Sequence, residues 1–363
     1  MKLADFDYPL DRTLIAQRPP ARRGGSRLML LDGETGAFRH GCFPDFLDEV
    51  TSDDLVVLNQ TKVIPARVLG EKAGTGGNVE LLFLHPVEPS HWSVLAKGRL
   101  CEGEQVRFPD GHAVTVTDNE GNGRWTVQMN GQGDVVKWLH RIGRVPVPPY
   151  IERSGTPAEE RLDRRCYQTV YATVPGSVAA PTAGLHFSAA QLRALVRRGI
   201  TVVRLTLHIG TGTFQPIRCE EIEAHRMAAE AVEIDASVCR AVTATRQRGG
   251  RVIAVGTSTV RALESACDSS GSDSSSCGGL VKPWRGWTTL FITPGYRFRV
   301  VDGLLTNFHL PKSSLLCLVS AFAGRDRLLA AYRGAMEARY RFYSYGDAMF
   351  IHRGQRGQTV RNV

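Results

Sequence analysis

The eight cysteines form no Cys-x-x-Cys pair, and no Cys/His grouping has zinc spacing. This argues against a structural zinc module and predicts reduced thiols, several of them buried as small apolar residues. No Gly-x-x-x-x-Gly-Lys-Ser/Thr run occurs, nor a Gly-x-Gly-x-x-Gly following a strand. A phosphate-binding loop NTPase and a standard dinucleotide fold are therefore not expected. Long apolar runs are also missing: the most apolar stretch, 315–323, is about half of what crosses a bilayer. The N-terminal segment lacks an apolar stretch before a cleavage site. The expectation is a soluble, cytoplasmic protein without a membrane partner. No internal repeat is visible, and one low-complexity tract, Ser- and Gly-rich over 268–279, reads as a surface insertion without function.

What is present is ordinary globular composition: 363 residues, 42% hydrophobic and 22% charged, which excludes wholesale disorder. The length suggests two domains at roughly 150 residues each. Basic residues outnumber acidic ones, 45 to 36, for a net charge of +9. Residues 1–27 carry six basic groups against three acids, and 324–363 carry eight arginines against three acids. Nearly all the excess thus sits at the two ends. If they meet on one face, they form a footprint for a phosphate backbone; the alternative is two solvated termini.

Residues 27–60 read as a hairpin (SRLMLLD, a DGETG turn, AFRH), a short helix near 44–50 and the strand DLVVLN. Short β-like segments then recur near 66–70, 78–84, 91–97, 104–108, 113–118 and 124–129, separated by GTGG, DG and NEGNG turns. That spacing predicts a small closed or nearly closed antiparallel β-barrel over 66–149, finished by the helix DVVKWLHRIG and an extended PVPPYI exit. After 165 the pattern is mixed α/β. Ser188 and Gln191 form a capping box for SAAQLRALVRRG, with Gly199 as terminator. RVIAV reads as a buried strand followed by a GTSTV turn and the helix RALESA. Further on come a TTLFIT strand, a DGLLTNFHLPKSS loop, a buried LLCLVSAFAG helix and an Arg-rich helix to about Phe342. The implied fold class is mixed α/β: a larger discontinuous domain (1–65 and 150–363) with the smaller barrel inserted.

Several segments are rich in Gly, Thr, Ser, His and Asn where packing does not require them: 179–187, 206–216, 255–264, 305–311 and 342–349. Loops at strand ends in α/β sheets are where ligands bind. In the strand–GTST–helix unit, Gly256 permits close approach, Thr257 and Ser258 can cap, and the helix N-terminus suits a carboxylate or phosphate; ordinary capping explains the pattern equally well. His186, His208 and His309 lie in such loops or at strand ends, where an imidazole titrating near the working pH suits acid/base chemistry and where structural hydrogen bonding is the competing reading. His225 is a weaker fourth. No carboxylate cluster accompanies them, so no metal site is expected. Tyr340, Phe342, Tyr343 and Tyr345 alternate with Arg339 and Arg341, a pattern that either stacks on unpaired bases or packs a helix end on the core.

Taken together, long strings resemble one family, the S-adenosylmethionine:tRNA ribosyltransferase-isomerases of queuosine biosynthesis. They are DFDYPL and LIAQRPPARRGGSRLMLLD within 5–32, DLVVLNQTKVIPAR at 54–67, PVPPYI at 146–151, YQTVYA at 167–172 and VAAPTAGLHF at 178–187. They continue with LHIGTGTFQPI at 207–217, RVIAVGTSTVRALE at 251–264, the stretch 294–324 and YRFYSYGDAMFI at 340–351. Three departures stand out. Asn59-Gln60-Thr61-Lys62 replaces the usual Asn-Asp-Thr-Arg, GTGTF replaces GAGTF, and His225-Arg226-Met227-Ala228-Ala229-Glu230 lacks the second His of the usual HPMHxE.

The resemblance implies transfer and isomerisation of the ribosyl part of S-adenosylmethionine onto the 7-aminomethyl-7-deazaguanine at the tRNA wobble position. Epoxyqueuosine-tRNA forms, and adenine and methionine leave. S-adenosylmethionine is a co-substrate, and neither metal nor further cofactor is implied. Such chemistry needs a neutral base near carbon acidified by the sulfonium, a donor for departing adenine and exclusion of water. His186, His208 and His309 are the expected acid/base set. Thr257, Ser258 and Arg261 are expected to receive the methionine carboxylate or ribose, Asp302 and Asn307 the sugar hydroxyls, and Glu264 and Asp347 to offset the sulfonium charge. Arg22, Arg23, Arg27, Arg339, Arg341 and Tyr343 are expected to meet the tRNA, and the enzyme is expected to be a monomer. The competing readings are a catalytically impaired tRNA-binding homologue, motivated by Gln60, and a tRNA methyltransferase.

Overall fold

The computed structural model describes residues 1–131, 133–214, 217–268 and 280–353. The Ser-rich tract beyond 268, Arg356 and Arg361 of the basic C-terminal segment, and Gln215 and Pro216 lie outside these residues. Two bodies of β-structure organise the chain. The larger is a nine-stranded sheet with a parallel centre, ordered Thr201–Leu207, Leu55–Asn59, Val252–Val255, Gly303–Asn307. Beyond Gly303–Asn307 follow antiparallel Ala348–His352, then Arg27–Asp32, then the edge strand Phe38–Cys42. On the other side Glu230–Ile234 and Trp284–Thr288 complete the sheet, both antiparallel.

A strand covered on both faces loses the apolar–polar alternation, which is why LVVLN is buried at every position. Leu55 and Val57 face one core, shared with the helices Ala236–Gln247, Thr257–Ser265 and Ser314–Ala323. Val56 and Leu58 face the other, with Phe43, Phe46, Phe187 and Leu195. Parallel neighbours need long crossovers. The longest crossover, between Leu55–Asn59 and Thr201–Leu207, contains the second body.

That body is a closed six-stranded antiparallel barrel built from Arg67–Lys72, Asn78–Glu88, His91–Lys97, Gln105–Arg107, Ala113–Gly121 and Arg124–Met129. The expected mixed α/β class with an antiparallel barrel is thus realised, six strands at the six expected places. Helix Val135–Ile142 packs on the barrel through Trp138, 5.5 Å from the Phe83 ring, and the Trp138 indole N–H donates to Asp110 at 3.0 Å.

The N-terminal segment meets the chain at Phe342. Phe342 donates its N–H to Leu14 O at 2.8 Å, and Ala16 donates to Phe342 O at 3.3 Å. The acids of the first segment are spent on basic groups: Asp7 on Lys312 at 2.6 Å and Asp11 on Arg339 at 3.1 Å.

Four local expectations are corrected. DGLLTNFHLPKSS begins with a fully buried strand, Gly303–Asn307, in mid-sheet, because neighbours on both sides override its turn-like composition. The strand expected at TTLFIT instead ends at Thr288. The expected helix near 44–50 is a single tight turn, Phe43–Leu47. The Arg-rich helix stops at Glu337, since Arg339 takes a left-handed φ of 57°.

Candidate active site

The carboxyl ends of the parallel strands converge on one cavity, lined by Thr257, Ser258, Arg261, Asn307, His309 and Tyr343 among others. After Val252–Val255 the chain turns through Gly256 at φ 90°, a conformation that favours glycine, and enters helix Thr257–Ser265. No side chain caps that helix, so its N-terminus is left to whatever occupies the cavity. Asn59, at the end of its strand, donates to Leu207 O at 2.9 Å and to Ser258 Oγ at 3.2 Å. Its own Oδ1 accepts from Leu207 and Thr61, so one amide joins two strand ends to the helix start.

Arg261 reaches the cavity from the first turns of the helix and is buried. Its Nε donates to Leu290 O at 2.9 Å, and one terminal nitrogen pairs with Glu230. The other terminal nitrogen is buried without a partner. Glu230 also accepts from Gly210 N at 2.9 Å, tying the guanidinium to the loop after Thr201–Leu207. Reasoning from sequence gave Glu230 no role. Its only signal was its place at the end of the 225–230 segment.

The Asn307 amide can be oriented by its partners. Tyr343 O is an acceptor only, so the atom 3.0 Å from it must be the Asn307 NH2. The same NH2 lies 3.1 Å from His186 Nε2, which therefore accepts. His186 must then carry its proton on Nδ1 and donate to Ser26 Oγ at 2.8 Å. Asn307 Oδ1 is left buried with no donor. Two residues that line this cavity thus carry a buried polar atom without a partner, a donor on Arg261 and an acceptor on Asn307. Native interiors rarely leave such groups unpaired.

The three histidines divide. His309 lines the cavity; its Nε2 is 2.7 Å from Thr306 Oγ1, and its backbone N–H is held by the Tyr332 hydroxyl at 2.9 Å. Burial pushes its pKa down to about 3, so it is neutral at any working pH. Burial, with Arg341 and Arg23 nearby, pushes His186 to about 3 as well. His208 is not among the cavity residues: its Nδ1 is 2.8 Å from Thr61 Oγ1, and its ring packs on Gly176, where a Cβ would come within 2.8 Å. Burial also lowers its pKa. His225 packs edge-on against Phe291.

Three expected ligand contacts are not brought to the cavity. Asp302 precedes the strand whose far end carries Asn307, roughly 17 Å away at strand rise. It receives Arg246 at 2.9 Å and Val252 N–H at 2.9 Å. Glu264 lies at the other end of its helix, where three backbone N–H groups, of Arg299, Val300 and Val301, donate to it at 3.0–3.1 Å. Asp347 accepts from the backbone of Arg27 at 2.9 Å and Arg341 at 2.8 Å. Each carboxylate is consumed by local structure. Gln60 is also outside the cavity, bonded to Thr173 at 3.0 Å and Thr206 at 3.4 Å.

The residues expected to meet tRNA separate in the same way. Arg22 is exposed. Arg23 is half-buried and lines a second cavity beside the first. Arg27 is stacked over the Tyr340 ring at 3.8 Å and donates to Ala338 O, a packing role. Arg339 is exposed but paired with Asp11, and Arg341 leans on Asp347 at 3.4 Å. Tyr343 is no surface platform: it is buried, at φ 70°, with its ring 4.7 Å from Tyr150. Tyr340, Phe342 and Tyr345 are buried too, so the aromatic alternation serves packing.

Among the described residues no group of three or more His, Cys, Asp or Glu side chains is arranged to hold a metal ion, and no helix is long and apolar enough to cross a membrane.

Fold and cavity define a mixed α/β protein with a cavity at the carboxyl ends of its parallel strands, lined by Arg261, Asn307 and His309 among others. Comparison with known proteins narrows this. Residues 3–351 match the model of the family described as queuosine biosynthesis protein, and the chain belongs to that family. It is 48% identical over 354 residues to an S-adenosylmethionine:tRNA ribosyltransferase-isomerase of Pelotomaculum thermopropionicum, covering 97% of this chain and 100% of the relative. A protein of that name from Trichlorobacter lovleyi is 45% identical over 353 residues, with 97% and 100% coverage. The crystal structure of an S-adenosylmethionine tRNA ribosyltransferase from Thermotoga maritima is similar at a TM-score of 0.53 and 31% identity. It covers 96% of this chain and 99% of that one.

Proposed function

We propose that this chain transfers and isomerises the ribosyl moiety of S-adenosylmethionine onto the 7-aminomethyl-7-deazaguanine at the tRNA wobble position, releasing adenine and methionine. The observation that carries the reading is the pair of unpartnered buried groups, the Arg261 N–H and the Asn307 oxygen, beside an uncapped helix N-terminus. The cation and helix end suit the methionine carboxylate, and the amide oxygen suits a sugar hydroxyl. His309, neutral and in the cavity wall, is the proton acceptor for carbon beside the sulfonium. The glycosidic bond breaks and adenine leaves with the proton that His309 hands on; the RNA amine bonds to a sugar carbon and loses its own proton, a carbon–carbon bond closes the ring, and a sugar oxygen displaces sulfur from its carbon to form the epoxide and release methionine. His186 is a positioning residue that orients Asn307, and His208 supports the wall from outside.

The impaired-homologue reading was motivated by Gln60, which hydrogen-bonds away from the cavity. The test is to incubate the protein with labelled S-adenosylmethionine and tRNA carrying the precursor base. Adenine release is expected. S-adenosylhomocysteine in its place would mean methylation, and neither product would mean a binding protein; either result overturns the proposal.

A further inference from the structure

A cavity of about 270 Å³ lies where the barrel meets the large domain, space for roughly nine waters and just under the usual size of small-molecule sites. Its origin is in the sequence. Pro146, Pro148 and Pro149 have no N–H, so the chain leaving the barrel cannot be knitted into either sheet by a full ladder. It passes beside the barrel wall with a gap between them. In the barrel, Leu81, Phe83 and Val94 fill the core, so alternation turns Leu82 and Leu95 outward. Register sets Leu82 opposite both Leu95 and Arg67, and Glu80 opposite Lys97. The outer wall thus presents an apolar pair edged by three charged residues. Val147 and Pro148 of the exit and Val178 of the large domain line the same space.

Charge is unequal around this wall. Two lining cations, Arg67 and Lys97, stand against one lining acid, Glu80, among the described residues. Arg67 Nε is buried without a hydrogen-bond partner, in a long ion pair 3.7 Å from Glu80 Oε1. One terminal nitrogen reaches Val147 O only at 3.4 Å. The Arg67 backbone is fixed by a two-way bridge to Arg144, at 2.8 and 3.1 Å, so the guanidinium starts from a rigid base. Exposed Lys97 forms no ion pair among the described residues. An unmatched cation beside an apolar wall fits a small monoanion with an apolar body. The wall takes the body, and the guanidinium fork takes a carboxylate.

This cavity is separate from the one at the strand ends, with which it shares no lining residue. Two segments divide them: Val178 and Thr211 line the junction, Ala180 and Ile209 the strand ends. Ser177 pins the two segments together. Its Oγ donates to Ala179 O at 2.7 Å and accepts from the Ile209 N–H at 2.8 Å. A ligand in one cavity therefore leaves the other open.

We propose that the junction cavity binds a small carboxylate with an aromatic or branched aliphatic body, independently of whatever fills the strand-end cavity. This does not rest on the reaction assigned under "Proposed function". Such a ligand touches the barrel, its exit and the large domain at once, so its binding ties them together and stabilises the folded chain.

The probe is cinnamate, with cinnamamide as a neutral molecule of the same shape, and binding to the full chain is read by calorimetry at low salt. Cinnamate is expected to bind with a Kd of about 1 mM or below, a reach open to so small a ligand. The amide should bind at least ten-fold more weakly. Lys97→Glu, at an exposed position, and Arg67→Met, which keeps the apolar stem, should each weaken cinnamate at least five-fold, with circular dichroism reporting the fold of each variant. Saturating S-adenosylmethionine should leave the Kd within two-fold. Absence of binding, equal affinity for acid and amide, or undiminished affinity in both variants would overturn the assignment. Displacement of cinnamate by S-adenosylmethionine would join the cavity to the strand-end site, and displacement by an anticodon stem-loop would make it an RNA surface; either overturns the assignment too. Failure of the unaltered protein to release adenine would overturn the function alone.

Discussion

His186 and His309 allow a stability prediction with a worked sign. Both are buried, and both are held down to about 3, whereas in an unfolded chain they titrate near 6.5. Between those values the unfolded chain binds a proton at each site and the folded chain does not, so stability is complete above about pH 6.5 and falls as acid is added. From pH 7 to pH 5 the loss is roughly 2 kcal/mol per histidine and about 4 kcal/mol for the pair. Most carboxylates titrate below this window, so they contribute little. The perturbation is His186→Gln with His309→Gln, singly and together, since Gln retains a donor and an acceptor but does not titrate. Urea unfolding followed by circular dichroism at pH 7, 6 and 5 gives stability by linear extrapolation. The readout is the change with pH within each protein, so a constant packing penalty cancels, as do His208 and His225. The double variant should lose about 4 kcal/mol less than the unaltered protein over the two units. Equal losses in both would refute neutral burial of the two imidazoles.

Two further outcomes concern stability. Arg261→Met leaves the Glu230 carboxylate buried without its cation and should cost about 3–5 kcal/mol in thermal or urea unfolding, with Glu230→Gln in the same chain recovering most of it. Gly143→Ala would put a Cβ 1.8 Å from Pro65 O and 2.7 Å from Leu139 O, so it should destabilise by about 1–3 kcal/mol or more, whereas Gly74→Ala, with nothing within 4 Å, should stay within about 0.5 kcal/mol by the same melt.

The barrel was legible because alternating strands and glycine-rich turns are local signals, and all six strands fall where period and punctuation put them. Gly303–Asn307 was not, because Gly and Asn are depleted in strands, a single Thr does not outweigh them, and the strand is fixed by neighbours far along the chain. In the site, the glycine turn, Thr257, Ser258, Arg261, Asn307 and His309 were readable as residues packing does not require. Asp302, Glu264 and Asp347 misled for one reason: a carboxylate in a polar motif serves a backbone N–H as well as it serves a ligand, and only geometry tells which. The pairing of Glu230 with Arg261 depends on long-range juxtaposition, which spacing cannot convey.

The placement of Ala348–His352 between Gly303–Asn307 and Arg27–Asp32 has a consequence for biosynthesis. Translation proceeds at roughly 5–20 residues per second, so Arg27–Asp32 emerges some 15–65 s before the strand that closes the gap beside it. Until then Arg27–Asp32 has only Phe38–Cys42 beside it, and its other edge has no strand to pair with. That interval is when the unpaired edge is open to strands of other chains, so aggregation is the hazard while synthesis runs.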